Sequence, residues 1–153
     1  MTPGGTLGDY VAFYFTPRSP MLLNIKTGVN VSRVPMSEIV IFVSSLHTLR
    51  EQDVPFLFTD SHAYLGTAQF FTDLADLQRL DWAILRASDF AYSVDDPGKK
   101  QRYEAEALVH RHMPLSAMNG IVCHGEAECG RIGREVTQRG LDVKVVAKPG
   151  WYF

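Results

Sequence analysis

The stretch at residues 9–21, DYVAFYFTPRSPM, decides the fold of this chain. Residues 11–15 form an apolar, aromatic run that is typical of a β-strand, because such side chains fit a pleated, half-buried surface. The run ends in the polar turn 16–20, TPRSP, whose two prolines interrupt regular structure. Binding residues often lie where a rigid strand passes into a loop, so we interpret this stretch as one wall of a ligand site.

The composition bounds the class of protein. A chain of 153 residues with 46% hydrophobic and 21% charged residues is typical of one globular domain. Its net charge of −2 gives no general attraction to nucleic acid or to a membrane, so a polyanion site would have to be a local patch. Two cysteines make no disulfide framework and favour a reduced, cytoplasmic setting. The sequence predicts neither a signal peptide nor a membrane-spanning segment.

Strands and short helices alternate along the rest of the chain. Further β-branched and aromatic runs predict strands at 39–44, 55–59, 105–109, 120–124 and 142–147. Apolar spacing of three and four predicts a short helix capped by Ser45, one bent helix or two helices over 67–87, and a helix over 126–139 ended by Gly140. Residues 88–98 are predicted to be a loop. The pattern indicates an α/β (α+β) fold with a mixed or antiparallel sheet, and not a doubly wound nucleotide fold.

The strongest candidate for chemistry is Glu106, within the segment 99–110, KKQRYEAEALVH. Alternation along a strand would place Glu104, Glu106 and Leu108 on one face, with two carboxylates among residues expected to be buried. One interpretation is a solvated face on which the glutamates pair with Lys100 and Arg102. The other is a carboxylate at the edge of a cleft, placed to hold a sugar hydroxyl or to stabilise positive charge. The spacing leaves both open.

Histidines and cysteines provide two further candidates. His62 follows a predicted strand directly and could bind a phosphate, a base or a proton, or it could simply be a turn residue beside Asp60. Cys123, His124 and Cys129, with the histidines at 110 and 112, suggest zinc, but they lack the short paired spacing of zinc ligands. We therefore predict no metal, and a buried thiol at Cys129.

Basic residues form two groups, at 99–102 and at 131–148, and Tyr92 and Tyr103 lie near the first. Cations interleaved with aromatic residues suit single-stranded nucleic acid, in which bases stack and phosphates pair with cations. Ordinary surface charge is the alternative.

Several segments resemble the DarT family of DNA ADP-ribosyltransferase toxins. The resemblance is carried by DYVAFYFTPRSPM at 9–21, VPFLFTDSHAYL at 54–65, AQFF and LDWAILRAS within 68–88, KKQRYEAEALVH at 99–110 and GWYF at 150–153. It implies one ADP-ribosyltransferase-like domain over residues 1–153, with a split mixed β-sheet and an NAD cleft. It also implies transfer of ADP-ribose from NAD to a base, expected to be thymine, in single-stranded DNA.

The resemblance also implies roles for individual residues. Glu106 matches the catalytic glutamate, and Tyr14 and Ser19 match positions that bind NAD. Arg18, Met21, His62 and Lys100 match positions that bind DNA or form the target-base pocket. NAD is then a co-substrate, no metal is needed, and the expected partners are single-stranded DNA and a DarG-like macrodomain antitoxin. No membrane is involved.

The chain departs from the family pattern before residue 9. Family members carry a segment there that supplies a histidine, an NAD-binding helical element and a catalytic arginine, whereas residues 2–8 contain neither His nor Arg. We therefore expect the N-terminal part of the fold to be missing from this sequence. A non-catalytic remnant that still binds single-stranded DNA or the antitoxin is the alternative to an active transferase. A third possibility is a transferase directed at RNA.

Overall fold

The computed structural model describes residues 4–153 and divides the chain into two compact units. The first unit contains the residues through Thr16 together with Leu49–Met113, and the second contains Pro17–Thr48 and Pro114–Phe153. Each unit is built on its own β-sheet with short helices. This is the mixed α+β class that the sequence indicates, whereas the expected single domain over residues 1–153 stays a prediction.

The first unit holds an antiparallel sheet of four strands. In chain order they are β1 (Tyr10–Tyr14), β3 (Phe56–Thr59), β4 (Phe70–Phe71) and β5 (Glu106–His110), arranged β1-β5-β3-β4. Two helices accompany the sheet, α3 (Trp82–Ala87) and α4 (Lys99–Tyr103). The central strands β3 and β5 are almost entirely buried, as continuous apolar runs predict.

The second unit holds a mixed sheet of three strands. These are β2 (Val40–Val43), β6 (Gly120–Cys123) and β7 (Val145–Ala147), with β2 antiparallel and β7 parallel to the central β6. The helices of this unit are α1 (Pro20–Thr27) and α5 (Glu126–Gln138), and α2 (Leu46–Glu51) carries the chain from the second unit into the first. The parallel β6/β7 pair needs a crossover, which α5 provides.

Aromatic and aliphatic side chains fill each unit separately. In the first unit, Phe58 is fully buried and its ring contacts those of Phe15 and Phe71. In the second unit, Tyr152 is 2% exposed, packs with Leu22, and donates its hydroxyl to a backbone carbonyl oxygen of the sheet. Each sheet is therefore fixed by large buried rings.

All six predicted strands are confirmed with shifts at their ends. The predicted helix over 126–139 is also confirmed, with Cys129, Ile132 and Val136 facing the same core and Gly140 in the left-handed conformation (φ +64°) after its end. Ser45 caps α2 as predicted, since its hydroxyl oxygen accepts a hydrogen bond from the backbone N–H of Thr48 at 3.0 Å.

The predicted helix over 67–87 is wrong in its first half. Phe70 and Phe71 form β4 because they pair with β3, and Leu74–Arg79 is a 3₁₀-helix capped by Asp73. Only Trp82–Ala87 is α-helical, and the carboxylate of Asp81 caps it. Pairing with β3 outweighs the local apolar spacing here. Within residues 4–153, no helix is long and apolar enough to cross a membrane.

Candidate active site

Glu106 opens β5 and is tied to the end of β3 through its backbone. Its N–H donates to Oγ1 of Thr59 at 3.1 Å, and the Thr59 hydroxyl donates to the carbonyl oxygen of Ser61 at 2.6 Å. Thr59 is fully buried, so water does not compete for these bonds. One threonine side chain thus joins the start of β5 to the turn that follows β3.

The Glu106 carboxylate is buried and held from that same turn. Only 7% of the residue is exposed. Its Oε2 accepts a hydrogen bond from the backbone N–H of Ala63 at 2.9 Å and lies 3.3 Å from Nδ1 of His62. Hydrogen bonds to an ionised group are stronger than neutral ones, and they fix its orientation. Both contacts within residues 4–153 end on Oε2, which leaves Oε1 as the oxygen available to a bound molecule.

His62 is a half-exposed side chain on a fixed backbone. Its ring is 42% exposed, and its backbone N–H donates to the carbonyl oxygen of Gln101 at 2.9 Å. The turn is also closed at its base, because the backbone N–H of Gln69 donates to the Asp60 carboxylate at 3.1 Å. The simple turn-histidine interpretation is therefore incomplete, since the ring also contacts the buried carboxylate.

Tyr14 lies across from this carboxylate. It is the direct partner of Glu106 in the antiparallel pairing of β1 with β5. Burial, together with the negative charges of Glu106 and Glu104, raises the pKa of Tyr14 to about 12. The phenol is therefore a neutral hydrogen-bonding group beside the carboxylate at any ordinary pH.

The expectation that Glu104 shares a strand face with Glu106 is wrong. Residues 99–103 form α4, and Glu104 follows that helix as its C-cap, so the strand begins only at Glu106. The Glu104 carboxylate lies 3.8 Å from the ammonium of Lys100. The interpretation of Glu106 as part of a solvated, paired face is also wrong, because its carboxylate is buried and contacts the turn instead.

The basic group at 99–102 is largely neutralised by acidic neighbours. Lys99 pairs with Asp89 at 2.7 Å, and Arg102 pairs with Asp81 at 3.1 Å and with Asp96 at 2.6 Å. These pairs raise the pKa of the Arg102 guanidinium, with the hydrogen bond to Asp96 the largest cause. Lys100 keeps the loosest pair and a side chain that is 54% exposed, which makes it the most available cation of the group.

The two tyrosines near this group have different environments. Tyr103 is only 1% exposed, its hydroxyl accepts a hydrogen bond from Thr16, and its ring contacts Phe90. A ring buried in this way has no free face for a nucleic-acid base. Tyr92 is 79% exposed.

Arg18, Ser19 and Met21 belong to the second unit. The Arg18 Nε donates to the carbonyl oxygen of Tyr152 at 3.0 Å, and its guanidinium lies 5.7 Å from the centre of the Phe153 ring. The Ser19 hydroxyl oxygen is buried and accepts from the N–H of Leu22 at 3.1 Å, which caps α1. Met21 is 45% exposed. The aromatic chain end at 151–153 thus supports the residues that follow the opening strand.

The cysteines are packing residues. Cys123 is fully buried. Cys129, predicted to be a buried thiol, packs in the same apolar cluster from α5 but is only partly buried. Burial is the main cause that raises the pKa of the Cys123 thiol. Within the part of the chain that the structure describes, no group of three or more potential metal ligands comes together.

The first unit also contains a cavity of about 430 Å³ beside the turn. Its lining is mixed in polarity, with acidic, basic, amide and hydroxyl side chains: Asp60, Ser61, Leu65, Thr67, Arg79, Gly98, Gln101 and Arg102. The volume falls in the usual range of small-molecule sites, about 300–1,000 Å³. Ser61 and Leu65 flank the residues that hold Glu106, so the cavity and the carboxylate share one turn.

Two contributors to the site are not among the site residues predicted from sequence. Ala63 acts through its backbone N–H, which no residue pattern marks. The sequence predicts Thr59 only as the end of a strand, although a buried threonine before a polar turn is a signal that its hydroxyl satisfies backbone groups there.

Comparison with known proteins finds a matching family model and several relatives of this chain. The family model described as "ssDNA thymidine ADP-ribosyltransferase, DarT" matches residues 1–153. A DNA ADP-ribosyl transferase of Escherichia coli O127:H6 is 49% identical over 151 residues, which are 98% of this chain and 69% of that protein.

Solved structures show the same fold. The structure of Thermus sp. 2.9 DarT in complex with NAD⁺ superposes on this chain with a TM-score of 0.91 at 32% identity. The match covers 100% of this chain and 77% of the Thermus chain. Its complex with ADP-ribosylated ssDNA gives the same TM-score and identity, with 73% of that chain covered. Thermosipho africanus DarTG with ADP-ribose shares the fold at a TM-score of 0.75 and 18% identity, over 38% of its chain. The chain therefore belongs to the DarT family of ssDNA thymidine ADP-ribosyltransferases.

Proposed function

We propose that this chain transfers ADP-ribose from NAD⁺ to a thymine base in single-stranded DNA, with Glu106 as its catalytic carboxylate. The observation that carries the proposal is a buried glutamate whose Oε2 is held by the Ala63 N–H and lies beside His62, while Oε1 is left available. The family match and the relatives support the reaction.

The chemistry requires a carboxylate placed in this way. When the nicotinamide–ribose bond breaks, the electron pair leaves with nicotinamide and positive charge develops on the ribose, as in glycoside cleavage. A fixed anion in a water-poor site stabilises that charge without reorganising. Glu106 meets both conditions, and its Oε1 can accept a ribose hydroxyl while Oε2 stays on the turn. Because the Tyr14 phenol on the same sheet face is neutral, it does not attract the positive charge of the ribose away from Glu106.

The target base must leave its stack to reach the ribose carbon, and for this reason an unpaired strand is the expected substrate. We assign Lys100, the most available cation near the site, to a DNA phosphate, and His62 to positioning of the base or of Glu106. Arg18 and Met21 remain proposed DNA contacts, and Tyr14 and Ser19 remain proposed NAD⁺ contacts. No residue is assigned the role of the family's arginine.

Partners and setting complete the proposal. We propose that a DarG-like macrodomain antitoxin binds this chain, as the family resemblance implies, and that the chain acts in the cytoplasm. Co-purification of the two proteins would test the pairing, and ADP-ribose would be expected to disappear from modified DNA when the macrodomain is added.

A matched pair of glutamate variants tests the catalytic assignment. The chain is incubated with labelled NAD⁺ and a thymine-containing single-stranded oligonucleotide, and label on the DNA is measured. Glu106→Gln should lower the rate by about 10²–10³, the usual cost of losing one preorganised electrostatic group. Glu51→Gln, at an exposed glutamate of α2, should stay close to the parent chain.

Two outcomes would contradict the proposal. An unchanged rate in Glu106→Gln would remove Glu106 from the mechanism. A parent chain that gives no heat with NAD⁺ in calorimetry but still binds the oligonucleotide would favour the non-catalytic binding module. RNA of the same sequence, tested in parallel, separates a DNA-directed from an RNA-directed transferase.

A further inference from the structure

Tyr64 is the most exposed of the large apolar side chains that the structure describes, with 84% of its surface accessible. A large ring in water costs free energy that packing against a partner would recover, and tyrosine is enriched at contact surfaces. The Tyr64 side chain has no role in the candidate site described above. Tyr64 directly follows Ala63, whose N–H holds Glu106, so the exposure of its ring is relevant to the site.

The backbone around Tyr64 is held firmly. The N–H of Leu65 donates to the carbonyl oxygen of His62 at 3.0 Å, and the N–H of Ala68 donates to the carbonyl oxygen of Leu65 at 3.0 Å. Ala63, directly before Tyr64, is 6% exposed and packs against Leu57 and Leu108. The ring is therefore presented to solvent by a turn that is fixed on both sides, which keeps the entropy cost of using it low.

The same turn holds the Glu106 carboxylate. The N–H of Ala63 reaches Oε2 at 2.9 Å, and the next residue in the chain is Tyr64. Tyr64 is therefore one residue along the chain from the backbone donor that holds the Glu106 carboxylate.

We propose that Tyr64 stacks on a base of the single-stranded DNA that neighbours the target thymine, and so acts as a positioning residue. The proposal rests on the function proposed above. An exposed ring suits an unpaired strand because every base offers a flat face, and such a contact tolerates many sequences. Stacking of the neighbouring base would fix the strand while the target thymine is extruded. Tyr103, the tyrosine that follows the basic residues, cannot serve, because its ring is buried.

The test compares three replacements of one side chain in the full chain. Tyr64→Ala removes the ring, Tyr64→Leu keeps apolar bulk without a flat face, and Tyr64→Phe keeps the ring without the hydroxyl. Loss of one stacked base should raise KM for the oligonucleotide about 5- to 150-fold in the Ala and Leu variants, with kcat at saturating DNA near that of the parent. Tyr64→Phe should restore the parent KM. KM for NAD⁺ and the unfolding midpoint should stay unchanged in all three.

An oligonucleotide series with a single abasic site locates the contact. Removing the base that Tyr64 stacks on should raise KM for the parent chain by the same factor as Tyr64→Ala, and the two changes together should add nothing. A Leu variant that behaves like the parent would overturn the proposal, and so would a Phe variant as weak as Ala. If the parent chain modifies no DNA, the transferase proposal fails, whereas oligonucleotide binding measured by anisotropy still decides the role of Tyr64 with the same variants.

Discussion

Tyr14 and Glu106 are direct partners across the antiparallel β1/β5 pair, so their side chains leave the same face of the sheet. Opposite residues in such a pair have Cβ atoms about 4.5–5.5 Å apart. A phenol is thus placed beside a buried carboxylate by backbone register alone. Burial is the first cause that raises the pKa of Tyr14 to about 12, and the charge of Glu106, its partner in this pairing, is the second.

This raised pKa predicts how stability changes at alkaline pH. The folded chain holds the Tyr14 proton more tightly than the unfolded chain, whose tyrosines have a pKa near 10.0. The contribution is therefore complete below pH 10 and is lost as the pH rises toward 12. Chemical unfolding between pH 10 and 12 should show a smaller decline of the unfolding free energy in Tyr14→Phe than in the parent. Tyr64→Phe, at an exposed tyrosine, serves as the control and should follow the parent.

The proximity of Tyr14 and Glu106 can also be tested by changing Glu106. Glu106→Gln removes a negative charge near the phenol, so the pKa of Tyr14 should fall while staying above its ordinary value because of burial. Ultraviolet titration of the tyrosines measures this, with Tyr14→Phe subtracted to isolate the signal. A pKa of Tyr14 that does not move would contradict the proximity of the two groups.

Thr59 should be needed for both stability and activity. Thr59→Val keeps the shape of the side chain but removes the hydroxyl that accepts from the Glu106 N–H and donates to the Ser61 carbonyl oxygen. Two buried backbone groups then lose a partner, at about 1–3 kcal/mol each in unfolding free energy. We also expect a lower kcat, because the turn that holds the carboxylate is released. Urea unfolding and the transfer assay measure the two effects, and Thr59→Ser should retain both.

Ser19 carries a structural role that can be separated from its proposed contact with NAD⁺. Ser19→Ala removes the cap of α1 and should lower the unfolding free energy by about 0.5–2 kcal/mol. Ser19→Thr can still cap the helix and should be close to the parent in stability. If Ser19 also binds NAD⁺, KM for NAD⁺ should rise in the Ala variant at temperatures where it remains folded. An unchanged KM would leave the residue with its cap alone.

Lys100 should contribute one phosphate contact. Its pair with Glu104 spans 3.8 Å on an exposed surface, and such pairs contribute little to stability, so the cation can turn to DNA at small cost. Lys100→Ala should lower the slope of log affinity against log salt by about one and weaken binding similarly for all sequences. Lys26→Ala, at an exposed lysine of α1, should leave the slope unchanged. Equal slopes in both variants would remove Lys100 from the DNA contact.

Local chemistry made much of the fold predictable. β-Branched and aromatic runs marked the six longer strands, and Ser45 and Gly140 marked helix ends through capping. The helix α1 was missed although its signals are present: Ser19 as cap, Pro20 in the first turn and Gly28 at φ +81° after the end. β4 could not be predicted, because two phenylalanines at helical spacing become a strand only through their pairing with β3.

The candidate site was only partly predictable. Resemblance picked out Glu106 and His62, which the structure brings together at 3.3 Å. The bond from the Ala63 N–H to Glu106 joins residues that lie 43 positions apart, and it involves a backbone group, so no spacing rule reports it. The basic group at 99–102 looked available in sequence, but three acidic side chains from elsewhere in the unit neutralise Lys99 and Arg102.

The residue that holds Glu106 is at once part of the apolar core. Ala63 donates its N–H to the carboxylate while its methyl group packs against Leu57 and Leu108. A side-chain substitution other than proline cannot delete the donor, so the contact is robust to most single mutations at the position itself. Core substitutions at Leu57 or Leu108 would instead loosen the turn and the carboxylate together as temperature rises. The cluster of Leu57, Ala63 and Leu108 is therefore where conditional, temperature-sensitive variants of the enzyme should be sought.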